Sequence, residues 1–323
     1  MAARNNQHGD DGTGQPTVSI VTIFLDPGIA YLEQAIASVD GQTYPHIEHI
    51  LVDDGCLDGG ELVAVAAARR SPQRVRYLCH EGRANLGMSA SRNLGLAAAR
   101  GPFVGFLDAD DVLESDAIER QVRYLLNHPE AAAVVGGSLH WRSWESGDPR
   151  DDEHATVGLR GIVQPPRLSA RLLHQRSQPP SMNAVLMRAS AVADVGGFES
   201  SFRSLFEDQA FLFKFFLQHD VVVHDEIVDR YRQHPDSAVN RAIAQNAYRR
   251  RGVNQPRQVF RRFALSHLAQ GPWRGSPLHR EAIWLYRWDR WPAVERRFYL
   301  LRPGLFRRVF NRLRGRRGQG SAW

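Results

Sequence analysis

Cysteine, lysine and long apolar runs are all scarce in this chain of 323 residues. Only Cys56 and Cys79 are present, so neither a disulfide framework nor a cysteine-built zinc site is expected, and a reducing, cytoplasmic compartment is the default prediction. No apolar run approaches the roughly 20 residues that cross a bilayer. Lysine occurs once, as Lys214. Hydrophobic residues still make up 43% of the chain, enough for the core of one large or two moderate domains.

Positive charge is concentrated at the C-terminal end. Residues 241–323 contain 20 arginines and three carboxylates, a net +17, so residues 1–240 carry −11 of the total of +6. Such an asymmetry predicts a basic appendage that packs on the acidic part or binds an acidic partner. The first residues lack the apolar core of a signal peptide. We therefore predict a disordered lead-in over 1–15, one domain over 16–240 and an arginine-rich helical extension over 241–323.

Strand-like and helix-like segments alternate along the first half of that domain. The predicted strands, short and rich in β-branched residues, cover 18–24, 49–52, 75–78, 103–107 and 131–135. The predicted helices, with apolar residues at helical spacing, cover 31–40, 60–70, 89–100 and 116–127. This alternation predicts an α/β fold with a mainly parallel central sheet flanked by helices. Beyond residue 140 the pattern loosens, with helices predicted at 168–175 and 206–218 and strands at 181–188 and 221–223.

Two clusters of carboxylates directly follow predicted strands. Asp53 and Asp54 follow the second strand, and Asp108, Asp110 and Asp111 follow the fourth. Because both strands run in the same direction in a mainly parallel sheet, the two clusters should lie close together on one rim. Ligands of open sheets bind beyond this rim, at the carboxyl ends of the strands. Two carboxylates at a strand end can converge on a hard cation such as Mg²⁺ or Mn²⁺. The alternative is a solvated turn in which Asp111 or Ser115 caps the next helix.

A series of motifs runs in a fixed order through the same domain. The strand 18–24 is followed by Leu32-x-x-Ala35-Ile36-x-Ser38-Val39-x-x-Gln42-Thr43-Tyr44-Pro45, Glu48-x-Ile50-x-Val52-Asp53-Asp54-Gly55-x-x-Asp58-Gly59, Asn85-x-Gly87-x-Ser89-x-x-Arg92-Asn93-x-Gly95, Phe106-Leu107-Asp108-Ala109-Asp110-Asp111, Gly196-Gly197-Phe198, Glu207-Asp208 and Tyr231-Arg232-x-His234-x-x-Ser237. From about residue 16 to about residue 240, this order resembles that of family 2 glycosyltransferases with the GT-A fold. The resemblance implies inverting transfer of a sugar from a nucleoside-diphosphate donor to an acceptor hydroxyl or amine.

The donor site follows from the same resemblance. The acid after the second strand, Asp53 or Asp54, is expected to contact the nucleobase and ribose. Since a carboxylate can accept the imide N–H of uracil, a UDP-sugar is the preferred donor, with dTDP- and GDP-sugars left open. The sequence departs from the family at Cys56-Leu57, where Ser-x is common, so a hydroxyl hydrogen bond to the loop is in doubt.

Further donor contacts are expected around the third helix and beyond the last strand. Arg83, Asn85 and Arg92 are predicted to meet the nucleobase or phosphates, since a guanidinium suits both aromatic faces and anions. Arg92 and Asn93 have a structural alternative, in which they tie the helix to the acidic turn. Arg232 is predicted to contact the diphosphate.

The remaining roles concern the metal and the base. The resemblance implies that Asp110 binds Mn²⁺ or Mg²⁺ and that Asp108 binds both ribose and metal. His234 is expected at the metal or at the diphosphate. Asp208 is the predicted base that deprotonates the acceptor, with Glu207 orienting it or touching the acceptor. The alternative for Asp208 is capping of the following helix.

The sequence leaves the acceptor open. A saccharide, a lipid-linked acceptor or a small molecule would each fit the resemblance, as would a role in bacterial cell-surface polysaccharide or glycoconjugate biosynthesis. Apolar residues at helical spacing among arginines over 305–314 predict peripheral contact with the inner face of an anionic membrane, or packing on the catalytic domain. No motif for nucleic-acid binding is present. Two other functions stay in view: a catalytically inactive nucleotide-sugar-binding module of the same fold, and a nucleotidyltransferase.

Overall fold

The computed structural model describes residues 15–175, 178–203, 205–244 and 256–290. The described residues form two compact units, one before and one after the gap at 245–255. The second unit is a pair of helices within the arginine-rich extension. The predicted lead-in, apart from residue 15, and the basic helix predicted near 305–314 lie outside the described residues.

The elements of the described residues are as follows. The strands are β1 (Val18–Phe24), β2 (Ile47–Asp53), β3 (Val75–Cys79), β4 (Phe103–Phe106), β5 (Val112–Leu113), β6 (Ala133–Trp141), β7 (Glu153–Ala155), β8 (Gly161–Val163), β9 (Val185–Arg188) and β10 (Val221–Arg232). The helices are α1 (Ile29–Asp40), α2 (Gly60–Arg70), α3 (Met88–Ala98), α4 (Ala117–Asn127), α5 (Ser143–Ser146), α6 (Arg167–His174), α7 (Ala189–Asp194), α8 (Glu207–Gln218), α9 (Ala238–Ala244), α10 (Pro256–Gln270) and α11 (Pro277–Arg290).

The described strands form one sheet in the order β3-β2-β1-β4-β9-β6-β10-β5, with β7 added to β6 and β8 added to β10. The strands β1, β2, β3, β4, β6 and β10 all run in one direction, and β5, β7, β8 and β9 run against them. The α/β prediction with a mainly parallel sheet is therefore confirmed. The carboxyl ends of β1, β2, β4, β6 and β10 consequently point toward the same rim.

Helices cover both faces of the sheet, which explains why β1 and β2 are buried along their whole length. On one face, Ile20 packs in a cluster with apolar residues of α1 and α4. On the other face, α3 lies so close to β1 that a Cβ added at Gly95 would come within 2.3 Å of Val21 Cγ1. The glycine of the Arg92-Asn93-x-Gly95 motif thus brings α3, and Arg92 with it, up to the sheet.

Two strands extend beyond their predicted ends, and one begins late. The β6 strand continues to Trp141 and β10 to Arg232, because the two strands pair along most of their length although glycine and polar residues interrupt their apolar pattern. The predicted strand at 181–188 begins only at Val185. Residues Met182–Ala184 form a 3-10 turn instead, where the Ser181 hydroxyl accepts the Asn183 N–H at 3.2 Å.

Candidate active site

A cavity of about 1020 Å³ lies at the carboxyl rim of the sheet. Its wall includes the loop after β1, the start of α3, the turn after β4, part of β6 and the segment after β10. Most of the predicted site residues line it, namely Asp54, Asn85, Arg92, Asp108, Asp110, Glu207, Asp208 and His234. Its volume is large enough for a ligand of nucleotide-sugar size.

The turn after β4 presents its first two acids to the cavity. The side chains of Asp108 and Asp110 are 27% and 32% exposed. Asp108 Oδ1 accepts a hydrogen bond from Arg92 at 2.8 Å, and Asp110 Oδ2 lies 3.0 Å from His234 Nε2. Burial raises the pKa of Asp108; Arg92 opposes this shift and Asp110 adds to it. The turn therefore holds negative charge that its neighbours only partly balance.

The third acid of the turn, Asp111, lies beneath it. Asp111 is buried and accepts hydrogen bonds from the Asn183 side chain and the Arg232 main-chain N–H, both at 2.7 Å. Its pKa is raised well above the usual range by burial and by Asp110 and Asp108. Helix α4 begins only at Ala117, so Asp111 supports the turn and does not cap the helix.

Arg92 connects the two acidic motifs that face the cavity. Its buried guanidinium donates to Asp108 at 2.8 Å and to Glu207 at 2.6 Å, and lies over the ring of Phe198. Burial lowers its pKa, but Asp108 and Glu207 together raise it above the ordinary value. Asn93 pairs with both the N–H and the carbonyl of Phe198 at 2.8 Å. The tie between α3 and the acidic turn, the structural alternative for Arg92, is thus present in the structure.

Glu207 and Asp208 form the first turn of α8. The preceding residue, Phe206, has φ of +68°, in the left-handed region that is unfavourable for a bulky side chain. Burial, and next the Asp208 charge, raise the pKa of Glu207 to about 8. Burial also raises the pKa of Asp208, whose Oδ1 accepts the Gln209 N–H at 2.7 Å. A cavity-lining carboxyl group with a raised pKa has the properties of a general base.

The two acids of the turn after β2 lie in different environments. Asp53 is fully buried and outside the cavity wall; it accepts hydrogen bonds from the Gly55 and Cys56 N–H groups, the Tyr77 hydroxyl and Arg83. Arg83 also lies outside the wall. Asp54 lines the cavity and accepts from the N–H groups on the C-terminal side of Asn85, at residues 86 and 87.

Arg232 lies behind the turn after β4 and outside the cavity wall. Its Nε donates to the Asp110 carbonyl at 2.7 Å, and its terminal nitrogen donates to Gln34 at 2.6 Å. Its guanidinium is enclosed by three aromatic rings, those of Trp141, Tyr31 and Trp144, at 4.5, 4.6 and 5.1 Å. Arg232 therefore fixes the main chain of the acidic turn from behind, whereas His234 reaches the cavity.

Several supporting residues gave no signal in the sequence. Asn183 and Asp229 lie in segments with no motif, and their contacts depend on the late start of β9 and the long β10. Of the aromatic residues around Arg232, Tyr31 comes from α1, far along the chain from Trp141 at the end of β6 and Trp144 in α5, and all three are distant in sequence from Arg232. Only the folded sheet brings these groups together.

The residues of the turn after β4 fit a divalent cation. Asp108 and Asp110 offer partly exposed carboxylate oxygens to the cavity, and His234 Nε2 adjoins Asp110. Hard cations such as Mg²⁺ prefer oxygen ligands, and Mn²⁺ also accepts imidazole. Burial raises the pKa of Asp108, and a cation bound at the turn would favour the ionised form of this carboxyl group.

A second group of metal-type side chains lies close together at the rim. One ligand atom from each of Asp26, Cys56 and Asp58 lies within 4.8 Å of the others. The Cys56 thiol donates to Asp58 at 2.7 Å, and Asp26 accepts the N–H groups of residues 57 and 58. These hydrogen bonds account for the grouping, because Asp26 in the loop after β1 holds the loop that follows β2.

Comparison with known proteins identifies the family. Residues 19–191, more than half of the chain, match the glycosyl transferase family 2. The chain belongs to this family. An uncharacterized glycosyltransferase of Nostoc sp. is 34% identical over 128 residues, which are 40% of this chain and 38% of the relative. The putative teichuronic acid biosynthesis glycosyltransferase TuaG of Bacillus subtilis is 32% identical over 125 residues, 39% of this chain and 48% of the relative. The matches thus span less than half of these relatives.

Solved structures of two glycosyltransferases share the fold. TarS 1-349 of Staphylococcus aureus in complex with UDP-GlcNAc superposes with a TM-score of 0.54 at 16% identity, over 84% of this chain and 81% of that chain. The mannosyltransferase PcManGT of Pyrobaculum calidifontis, in complex with GDP-Man and Mn²⁺, gives a TM-score of 0.51 at 19% identity, over 86% and 74%. The expected fold is confirmed. Among the described residues, none of the helices combines the length and apolarity needed to span a membrane.

Proposed function

We propose that the protein transfers a sugar, with inversion, from a nucleoside-diphosphate donor to an acceptor hydroxyl or amine, and that a divalent cation takes part. One observation carries the proposal: the buried Arg92 contacts both Asp108 and Glu207. This contact fixes the acidic turn after β4 and the first turn of α8 on the same cavity. A candidate cation site and a candidate base therefore line one cavity, whose volume can hold the reacting groups.

The donor is proposed to be a UDP-sugar. Its nucleobase and ribose would lie against Asp54 and Asn85, which line the cavity beyond β2, and Asp108 would also contact the ribose. Asp53 and Arg83 would act through the turn that they hold, and Arg232 through the main chain of Asp110. The UDP-GlcNAc complex of TarS supports a uridine nucleotide, while the GDP-Man complex of PcManGT keeps a guanosine nucleotide as the second choice.

Mn²⁺ or Mg²⁺ would be held by Asp108, Asp110 and His234. The bound cation supplies a Lewis acid that stabilises the negative charge of the departing diphosphate. The Mn²⁺ complex of PcManGT supports the choice of metal. The protein's own contribution is the placement of the ligands, because Arg92 and Arg232 hold the turn from two sides.

Asp208 is proposed to be the general base. As the acceptor oxygen or nitrogen bonds to the anomeric carbon, its proton passes to the Asp208 carboxylate. The bond from the anomeric carbon to the diphosphate oxygen breaks at the same time, and its electrons stay with the leaving diphosphate. Glu207, bound to Arg92 at 2.6 Å, would orient the first turn of α8.

The reaction can be tested with Asp208→Asn. A thermal-shift screen of nucleotide sugars with Mn²⁺ identifies the donor, since a ligand that binds only the folded state stabilises it. With that donor, Asp208→Asn should retain binding but lose transfer by about 10²- to 10⁴-fold. Asp116→Asn, which alters the half-exposed acid just before α4, is the matched control and should keep full activity.

Three outcomes would change the proposal. Near-normal turnover of Asp208→Asn would remove Asp208 as the base. Donor binding by the wild-type chain, with neither transfer nor hydrolysis of any nucleotide sugar, would favour an inactive binding module. Transfer of a nucleotidyl group in place of a sugar would favour a nucleotidyltransferase.

The acceptor is proposed to belong to bacterial cell-surface glycoconjugates, as a saccharide or a lipid-linked or small-molecule precursor. The support comes from relatives such as TuaG and the O-antigen biosynthesis protein RfbC of Myxococcus xanthus, which is 37% identical over 122 residues, 37% of this chain and 9% of that protein. The 20 arginines of residues 241–323 would suit contact with an anionic membrane surface, which is proposed as the place of reaction.

A further inference from the structure

We infer that Asn183 is a positioning residue that sets the geometry of the proposed metal turn. Asn183 is buried in the 3-10 turn that precedes β9. Its Oδ1 accepts the main-chain N–H of Asp108 at 2.8 Å. Its Nδ2 donates to Asp111 Oδ2 at 2.7 Å and to Asp229 Oδ2 at 3.1 Å. One amide side chain therefore bonds to the first and last residues of the acidic turn and to β10.

These contacts act on both proposed metal ligands. The turn spans four residues and has one internal hydrogen bond, from the Asp111 N–H to the Asp108 carbonyl at 3.1 Å. Asn183 holds Asp108 by its main chain and Asp111 by its side chain, with Asp110 between them. Asp229 is itself held by the Ser138 hydroxyl at 2.6 Å. The acidic turn is thus fixed to β6 and β10 through Asn183.

An asparagine suits this position better than the other side chains of its size. An aspartate would offer the Asp108 N–H an acceptor, but it would place a third carboxylate against Asp111 and Asp229. A leucine would leave the buried N–H and the two acids without these hydrogen bonds. Only an amide accepts on one side and donates twice on the other. The inference rests on the proposed metal site, which it deepens.

A residue that merely fills the space would affect folding alone, so the test compares metal affinity with stability. Gln121 of α4 provides the matched control: it is buried, and its Nε2 donates to the carbonyl of Ala184 in the same 3-10 turn at 3.0 Å. Gln121→Ala removes support from that turn without touching a hydrogen bond of Asp108 or Asp111. The two variants separate loosening of the 3-10 turn from loss of the bonds to the acidic turn.

The measurement is titration of the full chain with Mn²⁺, followed by the electron paramagnetic resonance signal of the free ion, with and without UDP. Outer-shell partners of metal ligands contribute about 10- to 100-fold in affinity. We expect Asn183→Ala to weaken Mn²⁺ binding by about that factor and Gln121→Ala to leave it nearly unchanged, while both variants lower the melting temperature. If Asn183→Ala does not fold, Asn183→Ser, which keeps a small hydroxyl, takes its place.

Two results would overturn the inference while leaving the proposed function intact. One is wild-type Mn²⁺ affinity in the Asn183 variant. The other is an equal loss of affinity in the Asn183 and Gln121 variants, which would assign the effect to general loosening. If the wild-type chain binds no Mn²⁺ with or without UDP, the metal part of the proposed function fails, and the role of Asn183 at a metal site fails with it.

Discussion

The turn after β2 and the turn after β4 each present consecutive acids at the same rim, but the protein treats them differently. In the first, donors from the surrounding loop surround the acids: Asp53 receives four hydrogen bonds and Asp54 accepts from two main-chain N–H groups. In the second, Asp108 and Asp110 each contact one side-chain partner, and their carboxylates face the cavity. The first turn is complete without a ligand, whereas the second has negative charge left for one.

This difference shows that the spacing of acids alone does not identify a cation site. The acids of the first turn are matched by nearby N–H, hydroxyl and guanidinium groups, so a cation has little charge to neutralise there. The acids of the second turn lie beside one another, and burial and mutual repulsion raise the pKa of Asp111 well above its usual range. The number of donors that the fold directs at each acid decides its role.

The largest effect on ligand binding is expected from Asp110→Asn, which should abolish cation binding at the turn after β4 and leave the fold intact. We expect UDP affinity in the presence of Mn²⁺ to fall about 100-fold or more, nearly 3 kcal/mol, because a metal ligand is lost. Stability without metal should be kept, since one of the crowded charges is removed. Titration calorimetry with and without Mn²⁺ measures the change. UDP affinity that does not depend on Mn²⁺ in the wild type, and is unaltered in the variant, would sink the metal assignment.

The reverse pattern is expected from Asp53→Asn. The amide replaces a fully buried carboxylate that accepts four hydrogen bonds, and its NH₂ group would face donors, so unfolding should become easier by about 2–3 kcal/mol. Mn²⁺ affinity should stay at the wild-type value. Urea unfolding and a Mn²⁺ titration check the two halves. A variant that keeps its stability but loses UDP binding would show that Asp53 contacts the donor directly.

The pH dependence of stability should distinguish Asp229, which lies beneath the turn after β4, from the buried residues of β2. Burial raises the pKa of Asp229 to about 7. The unfolded chain releases this proton near pH 4, so its stabilising contribution is complete below that pH and is lost as the pH rises through 7. Between pH 5 and pH 8 the loss amounts to about 3 kcal/mol. Glu207, with a pKa of about 8, acts in the same direction.

Asp229→Asn should reduce this alkaline loss, because an amide there does not titrate and can still accept from Ser138. Urea unfolding in EDTA between pH 4 and pH 8 measures the slope. Only below about pH 4, where Asp229 is protonated in both the folded and the unfolded chain, should the variant behave as the wild type. The loss of stability on the acid side that comes from His49 of β2, whose pKa burial lowers to about 3, is common to both proteins. An unchanged slope above pH 5 would show that Asp229 is ionised in the folded protein.

From the sequence, the fold and the acids at the carboxyl rim of the sheet could be predicted, but the residues that hold those acids in place could not. Alternating apolar strands and helices placed Asp54, Asp108 and Asp110 at one rim, because strand direction follows from connections that are local in the chain. The hydrogen bonds of Asn183 join residues 46 to 75 positions apart in the chain, the aromatic enclosure of Arg232 joins segments still farther apart, and neither has a periodic pattern. The same limit applies to Asp53: its motif is visible in the sequence, but its burial depends on Tyr77 and Arg83.

The smallest effect is expected from Cys56→Ser, which compares the hydrogen bond of the Cys56 thiol with its apolar packing in the turn after β2. The Cys56 thiol is buried among apolar residues of α1 and α2 and donates to Asp58 Oδ1 at 2.7 Å. A serine hydroxyl would donate more strongly to that carboxylate but would be shorter and lose apolar contact with the helices, so the two changes oppose each other. We expect the free energy of unfolding to shift by less than about 1 kcal/mol, with Mn²⁺ and UDP affinities unchanged. Cys56→Ala, which loses the hydrogen bond as well, should be the less stable variant by thermal unfolding. If serine and alanine destabilise equally, the packing of the sulfur outweighs its hydrogen bond, and the loop after β2 tolerates the departure from the family's serine for that reason.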